Sequence, residues 1–284
     1  VPEAVAERKT YAFSRERLQR GGVLVHQNVE GLAWAWKLAL AVGMAGFTAL
    51  MAQLSFPVPW TPVPFSMGVV GVLLTGAVLG PAWGLLSIAL YIAAGALGLH
   101  VFADQHSSGV SVLTGSTAGY IYGYAAAAVL VGLYMRRPRA TLPRRWALAL
   151  SGGIGVAGIF ALLSLTWIAF SGGRFTSSWS ATQSYLWLFL GMAALAAVAC
   201  WWLVRRAHGS PAQRLDLFLV MVAATAVIHL CGVAVLKPVL GVAWNEAVAL
   251  GSTVFLPFDL AKAGLATAAA SLFLPSALPR ETPP

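Results

Sequence analysis

Acidic residues are scarce in this chain. Nine Asp and Glu stand among 284 residues, against 18 Lys and Arg, and charged residues make up only 10%. Average soluble chains carry roughly 25%, so a water-soluble globular domain is excluded. Cysteine is nearly absent: Cys200 and Cys231 both fall inside apolar runs. They read as small buried residues and imply neither a disulfide framework nor a metal site. Three motifs are also missing. Without a Gly-x4-Gly-Lys-Ser/Thr phosphate loop the chain does not use ATP by that route. Without His-Glu-x2-His or Gly-x-Ser-x-Gly it has neither a metalloprotease helix nor a nucleophile elbow. Asp259 is the lone carboxylate expected inside the membrane segments, so the paired carboxylates of acid–base catalysis are lacking. The sequence argues for binding and translocation, not for an enzyme.

Apolar residues dominate instead, at 59% of the chain. Repeated apolar runs of about 20 residues are long enough to cross a hydrocarbon core of about 30 Å. They do not alternate apolar and polar residues as a transmembrane β-barrel would. The expected fold is an all-α, polytopic membrane helix bundle of about eight spans, at 33–54, 65–79, 82–99, 117–135, 146–170, 184–204, 216–240 and 250–274. Leu79-Gly80-Pro81 marks a tight turn between the second and third, because Gly and Pro punctuate helices.

The net charge of +9 does not point to nucleic acid, since the basic residues cluster between apolar runs. With the amino terminus inside, cytoplasmic segments hold Arg8, Lys9, Arg15, Arg17 and Arg20, then Arg136, Arg137, Arg139, Arg144 and Arg145, then Arg205, Arg206, Arg214 and Arg280. Outer loops offer Arg174, with Lys237 near the end of the seventh span. That asymmetry places both termini in the cytoplasm. The polar, basic stretch 1–30 reads as a surface-lying or disordered leader, because the apolar run after it is too long for a signal peptide and lacks a clear cleavage site.

Phe255-Leu-Pro-Phe-Asp-Leu-Ala-Lys-Ala-Gly264 opens the last apolar run and carries the most informative residues. A charge at membrane depth costs a few kcal/mol or more, so an intramembrane Asp or Lys is a functional-site candidate. Pro257 suits the first helical position. Asp259 then falls in the first turn, where the helix dipole favours a carboxylate, and Lys262 follows at i+3 on the same face. The two either neutralise each other or form a polar clamp for a small ligand bearing hydrogen-bond donors and a negative charge.

Two outer loops are unusual. Leu54 to Pro64 holds four prolines and no charge, which predicts a stiff, extended segment, either a connector or a lid over an apolar ligand. His100 to Gly115 contains His100, Asp104 and His106, with nothing to supply a third or fourth metal ligand in a fixed position. In the first span Ala41, Ala45 and Ala49 recur at i, i+4, i+8, a smooth face for close helix packing within the chain or with a partner. Segment 137–213 looks like an added helix pair, with Trp146, Trp167, Trp179, Trp187, Trp201 and Trp202 near the expected interfaces.

Three stretches, in register, resemble the biotin (BioY) family of substrate-binding S components from energy-coupling-factor (ECF) vitamin transporters. They are Thr61-Pro-Val-Pro-Phe-Ser-Met-Gly-Val-Val-Gly-Val-Leu-Leu-Thr-Gly-Ala-Val-Leu-Gly-Pro81, then Leu90-Tyr-Ile-Ala-Ala-Gly-Ala-Leu-Gly-Leu-His-Val-Phe-Ala103 with Gly115-Ser-Thr-Ala-Gly-Tyr120, and Phe255-Leu-Pro-Phe-Asp-Leu-Ala-Lys-Ala263. The resemblance covers about 33–135 and 216–274. Gly68 stands where the family usually has Gln, His100 and Ser116 replace prolines, and Phe258 replaces a glycine. The resemblance implies a six-helix S-component core, with segments 31–136 and 214–276 flanking the inserted pair and 277–284 as a cytoplasmic tail.

It also implies biotin as transported ligand, with no cofactor. Asp259 would accept the ureido N–H groups, and Lys262 would pair either with the ligand carboxylate or with Asp259. Tyr91 and Phe102 would supply aromatic walls and Thr117 a hydroxyl near the ring. Ala41, Ala45 and Ala49 would dock a transmembrane coupling subunit, itself driven by an ATPase pair. A stand-alone transporter of biotin or a related small carboxylate is the alternative.

Overall fold

The computed structural model describes residues 31–58, 61–103, 108–136 and 211–273. The leader, the helix pair expected within 137–213 up to residue 210, the tail, and Asp104 and His106 lie outside the described residues.

The described chain is helical apart from one short hairpin. Helix α1 (Trp34–Gln53) leads into strands β1 (Ser55–Val58) and β2 (Thr61–Ser66). Helices α2 (Gly68–Ala96), α3 (Ala118–Met135), α4 (Pro211–Leu240), α5 (Trp244–Val248) and α6 (Leu256–Ala270) follow. Among the described residues, α1, α2, α3 and α4 (from Gln213) are long and apolar enough to cross a membrane, and the bent pair ending in α6 makes up to five spans. The protein is a multi-pass membrane protein. Large apolar side chains left exposed, such as Trp36, Val42, Leu50 and Leu230, are what a lipid solvent requires.

α2 is two helices, not one. Gly80 has φ 75° and ψ −175°, a conformation open essentially to glycine alone, and Pro81 begins the second arm, where its missing N–H goes unnoticed. A Cβ placed on Gly84 would lie 3.4 Å from Gly76 Cα, whereas eight residues of straight helix span about 12 Å. The arms 68–79 and 81–96 therefore fold back on each other, as the Leu79-Gly80-Pro81 punctuation predicts.

α1 packs on both arms through Ala41, Ala45, Thr48 and Ala52, all buried. Thr48 and Thr75 share a buried hydrogen bond of 3.1 Å, and Ser87 Oγ donates to Ala41 O at 2.8 Å. Ala41 and Ala45, expected to dock a partner, face α2 here. They are 0% and 8% exposed and already spent on packing within the chain, while Ala49 is half-buried. The outward face of α1 instead carries Ala39, Gly43 and Gly46, all exposed.

Leu54 to Pro64 is extended, as its prolines predict, and makes up most of a hairpin. The chain there pairs with itself: β1 and β2 are antiparallel, with Ser55 opposite Ser66 and Phe56 opposite Phe65. In β2 Thr61, Val63 and Phe65 point inward. Pro62 and Pro64 occupy the opposite face, which suits a two-stranded ribbon whose edges need few N–H donors.

The chain runs alternately along the bundle, so the ends of α1, of the second arm of α2 and of α4 meet the starts of α3 and α5 at the hairpin end. Gly80-Pro81, Arg136 and the start of α4 meet at the opposite end. After Gly241, at φ 66°, α5 and a π-helical turn, Ala249–Thr253, lead into α6 through a bend of 42°.

Candidate functional site

Every side chain expected to bind ligand lines one cavity at the hairpin end of the bundle. Asp259 sits in the first turn of α6. Lys262 Nζ donates to Asp259 Oδ1 at 2.9 Å. Both are buried, at 4% and 6% exposure, so the i+3 spacing builds a real ion pair and leaves Lys262 holding Asp259. Tyr91 comes from the second arm of α2 and Phe102 from the segment after it, their rings edge-on at 5.5 Å and 87°. Thr117 precedes α3 and spends no side-chain hydrogen bond on capping it, so its hydroxyl stays available at the cavity wall.

The rest of the wall is largely apolar or aromatic. Val63, Pro64 and Ser66 close it from β2, Tyr120, Ile121 and Tyr124 from α3, and Ile228 and Phe255 from α4 and the turn before α6. The free volume is about 60 Å³, well short of the roughly 300–1,000 Å³ of small-molecule sites, so the walls lie close together and must part to admit a ligand. Phe65 stacks on Phe255 at 4.4 Å and meets Phe258 edge-on at 5.1 Å, so the hairpin is anchored on the start of α6. Gln53 Nε2 donates to His100 O at 3.0 Å and to Phe102 O at 2.9 Å, and Ser55 Oγ donates to Ala103 O. These bonds tie the segment carrying Phe102 to α1 and β1. A Cβ on Gly95 would collide with the Phe102 ring, so glycine there is what lets the ring lie flat on α2.

The sequence reading missed His229. It lies on α4, thirty residues before Asp259, and its Nε2 approaches Asp259 Oδ2 at 2.6 Å. The signal was present, because an ionisable residue inside an apolar span is a site candidate by default. Asp216, buried at 4% exposure near the start of α4, also corrects the expectation that Asp259 is the lone carboxylate of the spans. The π-helical turn before α6 matters here too, as such turns often do at functional sites. Its Gly251 carbonyl accepts the Tyr120 hydroxyl at 2.6 Å and faces His229 Nδ1 at 3.1 Å, while the Leu250 carbonyl accepts Thr61 Oγ1 at 2.8 Å.

The arrangement sets charged and polar groups beside an apolar surface, as a site for a small polar ligand needs. A carboxylate with a neighbour on each oxygen, a buried ammonium, and phenol and threonine hydroxyls surround an apolar slot. Comparison with known proteins agrees with this. The family model described as the BioY family matches residues 25–213 and 179–278. The chain belongs to the BioY family.

Named relatives of the family are transporters. The chain is 39% identical over 117 residues to the biotin transporter BioY of Thermotoga maritima, covering 41% of this chain and 66% of that one. It is 38% identical over 130 residues to the biotin transporter BioY of Rhodobacter capsulatus, covering 44% and 65%. The match thus spans slightly less than two thirds of each relative. A crystal structure of the S component for biotin from an ECF-type ABC transporter superposes with a TM-score of 0.51 at 17% identity, covering 84% of this chain and 89% of that one. The S-component fold is shared.

Proposed function

We propose that this chain is the integral-membrane substrate-binding subunit of a biotin importer. The observation that carries the reading is the buried Asp259–Lys262 pair on the wall of an aromatic-lined cavity at one end of a BioY-family bundle. Biotin joins a ureido ring with two N–H donors to an apolar body and a valerate carboxylate. Each oxygen of Asp259 accepts one bond from the chain, and each carries a further lone pair. A ureido N–H can take such a lone pair in a charge-assisted hydrogen bond. Lys262 has two further N–H groups for the ligand carboxylate. Tyr91, Phe102 and Tyr124 provide flat surface for the bicyclic body and Thr117 a hydroxyl.

The excess of Arg at the end opposite the hairpin, with Arg136 and Arg214 among the described residues, supports both termini in the cytoplasm and a cavity facing the exterior. Transport then needs energy from elsewhere, since the chain has no phosphate loop. An ECF coupling subunit and its ATPase pair would meet the bundle on the outward face of α1. That helix is the least covered of the four long described helices, with 22% of its apolar window buried, and a Cβ on Gly43 or Gly46 would meet nothing within 4 Å among the described residues. Small residues on such a face allow close helix approach.

The test is to purify the full chain in detergent, denature it, and measure biotin in the extract by mass spectrometry, with uptake of labelled biotin measured in cells with and without the ATPases. Co-purified biotin and ATPase-dependent uptake support the proposal. Uptake that survives loss of the ATPases assigns a stand-alone transporter, and an extract free of biotin, with no binding on its addition, refutes the ligand.

A further inference from the structure

Three tyrosines line the cavity: Tyr91, Tyr120 and Tyr124. A buried phenol normally finds a hydrogen-bond partner, because an O–H left unpaired away from water costs free energy. Tyr120 conforms, its hydroxyl donating to Gly251 O at 2.6 Å. Among the described residues, no acceptor takes the hydroxyl of Tyr91 or of Tyr124, although the two are buried at 2% and 7% exposure. A buried polar group that the chain itself leaves unused calls for a reason.

The surroundings of the Tyr124 oxygen supply one. It lies 3.1 Å from the point where a Cβ on Gly68 would stand, and Ser66 Oγ lies 3.3 Å from the same point. The hydroxyl therefore ends beside Ser66, which also lines the cavity, and glycine at 68 is what leaves it that place. Ser66 Oγ donates to Ala52 O at 3.2 Å and receives the Gly68 N–H at 3.0 Å. A serine hydroxyl has one proton, so Ser66 has none left to give. Tyr124 holds the spare O–H on this part of the wall.

The donor is also held in place before any ligand arrives. One residue earlier, Gly123 brings α3 so close to α4 that a Cβ there would lie 2.8 Å from Ile228 Cα. The Tyr91 ring lies beside that of Tyr124, with centroids 6.3 Å apart and planes tilted by 35°. A group fixed in this way loses little freedom on binding. Asp259 offers oxygen acceptors from α6, and Tyr124 offers a neutral donor from α3.

We propose that Tyr124 is a specificity-determining residue whose hydroxyl donates a hydrogen bond to an oxygen of the bound molecule. The pocket then selects ligands that carry an oxygen acceptor at that point, since an analogue lacking it leaves the hydroxyl unpaired in the complex. The ring still serves as flat surface, and the hydroxyl adds direction. In biotin the ureido carbonyl and the carboxylate both have this chemistry. The use of biotin rests on the function proposed above; the spare hydroxyl does not.

Two measurements on the full chain in detergent test it. The first needs no ligand. Tyr124→Phe removes one oxygen and keeps the ring, so the ligand-free variant is expected to unfold at the temperature of the unaltered protein or above it. Tyr120→Phe, which loses its bond to Gly251 O, is expected to unfold lower. A lowered temperature for Tyr124→Phe would show that the hydroxyl serves the fold, and would overturn the proposal whatever the ligand is.

The second is calorimetry with biotin, with 2-iminobiotin, which lacks the ureido oxygen, and with an analogue whose carboxylate is replaced by methyl. Tyr124→Phe is expected to weaken biotin by about tenfold. It is expected to weaken one analogue similarly and to leave the other unchanged, which identifies the oxygen contacted. Equal affinity of the two proteins for biotin, or the same loss for all three molecules, contradicts the proposal. If the unaltered protein binds none of them, the biotin reading fails and the unfolding temperatures alone decide whether the hydroxyl is spare.

Discussion

Lys262 and Asp259 form a buried ion pair one helical turn apart, ammonium to carboxylate at 2.9 Å, with His229 on the opposite oxygen. Removing one member of a buried pair strands the other, at a cost of about 3–5 kcal/mol. Lys262→Met should therefore lower the unfolding temperature in detergent markedly. Asp259→Asn added to it should restore part of the loss, with a coupling of about 0.5–3 kcal/mol in a double-mutant cycle. Strictly additive losses would show that the two do not act as a pair.

The two faces of α1 should respond differently. Ala41 is fully buried and its carbonyl accepts Ser87, so Ala41→Leu overpacks the α1–α2 contact and should cost about 1–3 kcal/mol of stability. Gly43→Leu and Gly46→Leu meet open space and should leave biotin binding and folding intact while blocking energised uptake. Normal uptake in the glycine variants would move the coupling face off α1.

Gly80 makes the hairpin of α2. Because its φ of 75° and ψ of −175° are closed to residues with a Cβ, Gly80→Ala should destabilise the protein by about 1–3 kcal/mol, read as a lowered unfolding temperature. An unchanged temperature would mean that the two arms do not need this turn.

Much of this was legible in the sequence, and the limits have physical reasons. Gly80-Pro81 announced its turn because few residues tolerate that backbone. Asp259 and Lys262 were found because charge is rare in apolar runs and their i+3 spacing fixes a shared face. Tyr91, Phe102 and Thr117, expected from family resemblance, do line the same cavity. The small-residue stripe left its face open, since an Ala-rich helix repeats that spacing on several faces and only packing tells the buried Ala41 and Ala45 from the exposed Ala39 and Gly43. Pairing of β1 with β2 was missed because four prolines signal extension but not a partner. His229 was missed because its contact to Asp259 is made between helices.

The segment carrying Phe102 is latched by Gln53, which donates to two carbonyls at once. Gln53→Ala removes both bonds, each contributing about 0.5–1.5 kcal/mol. Dissociation of biotin should speed up by about tenfold in stopped-flow measurements, with association changed less. An unaltered off-rate would show that the latch does not retain the ligand.

The central claim is that Asp259 grips the ligand. Its most direct test is titration calorimetry of biotin on the purified full chain and on Asp259→Asn, a near-isosteric change that removes the charge. The variant should bind at least about tenfold more weakly, a loss of about 1.4 kcal/mol or more. Equal affinity in the two proteins would contradict the account.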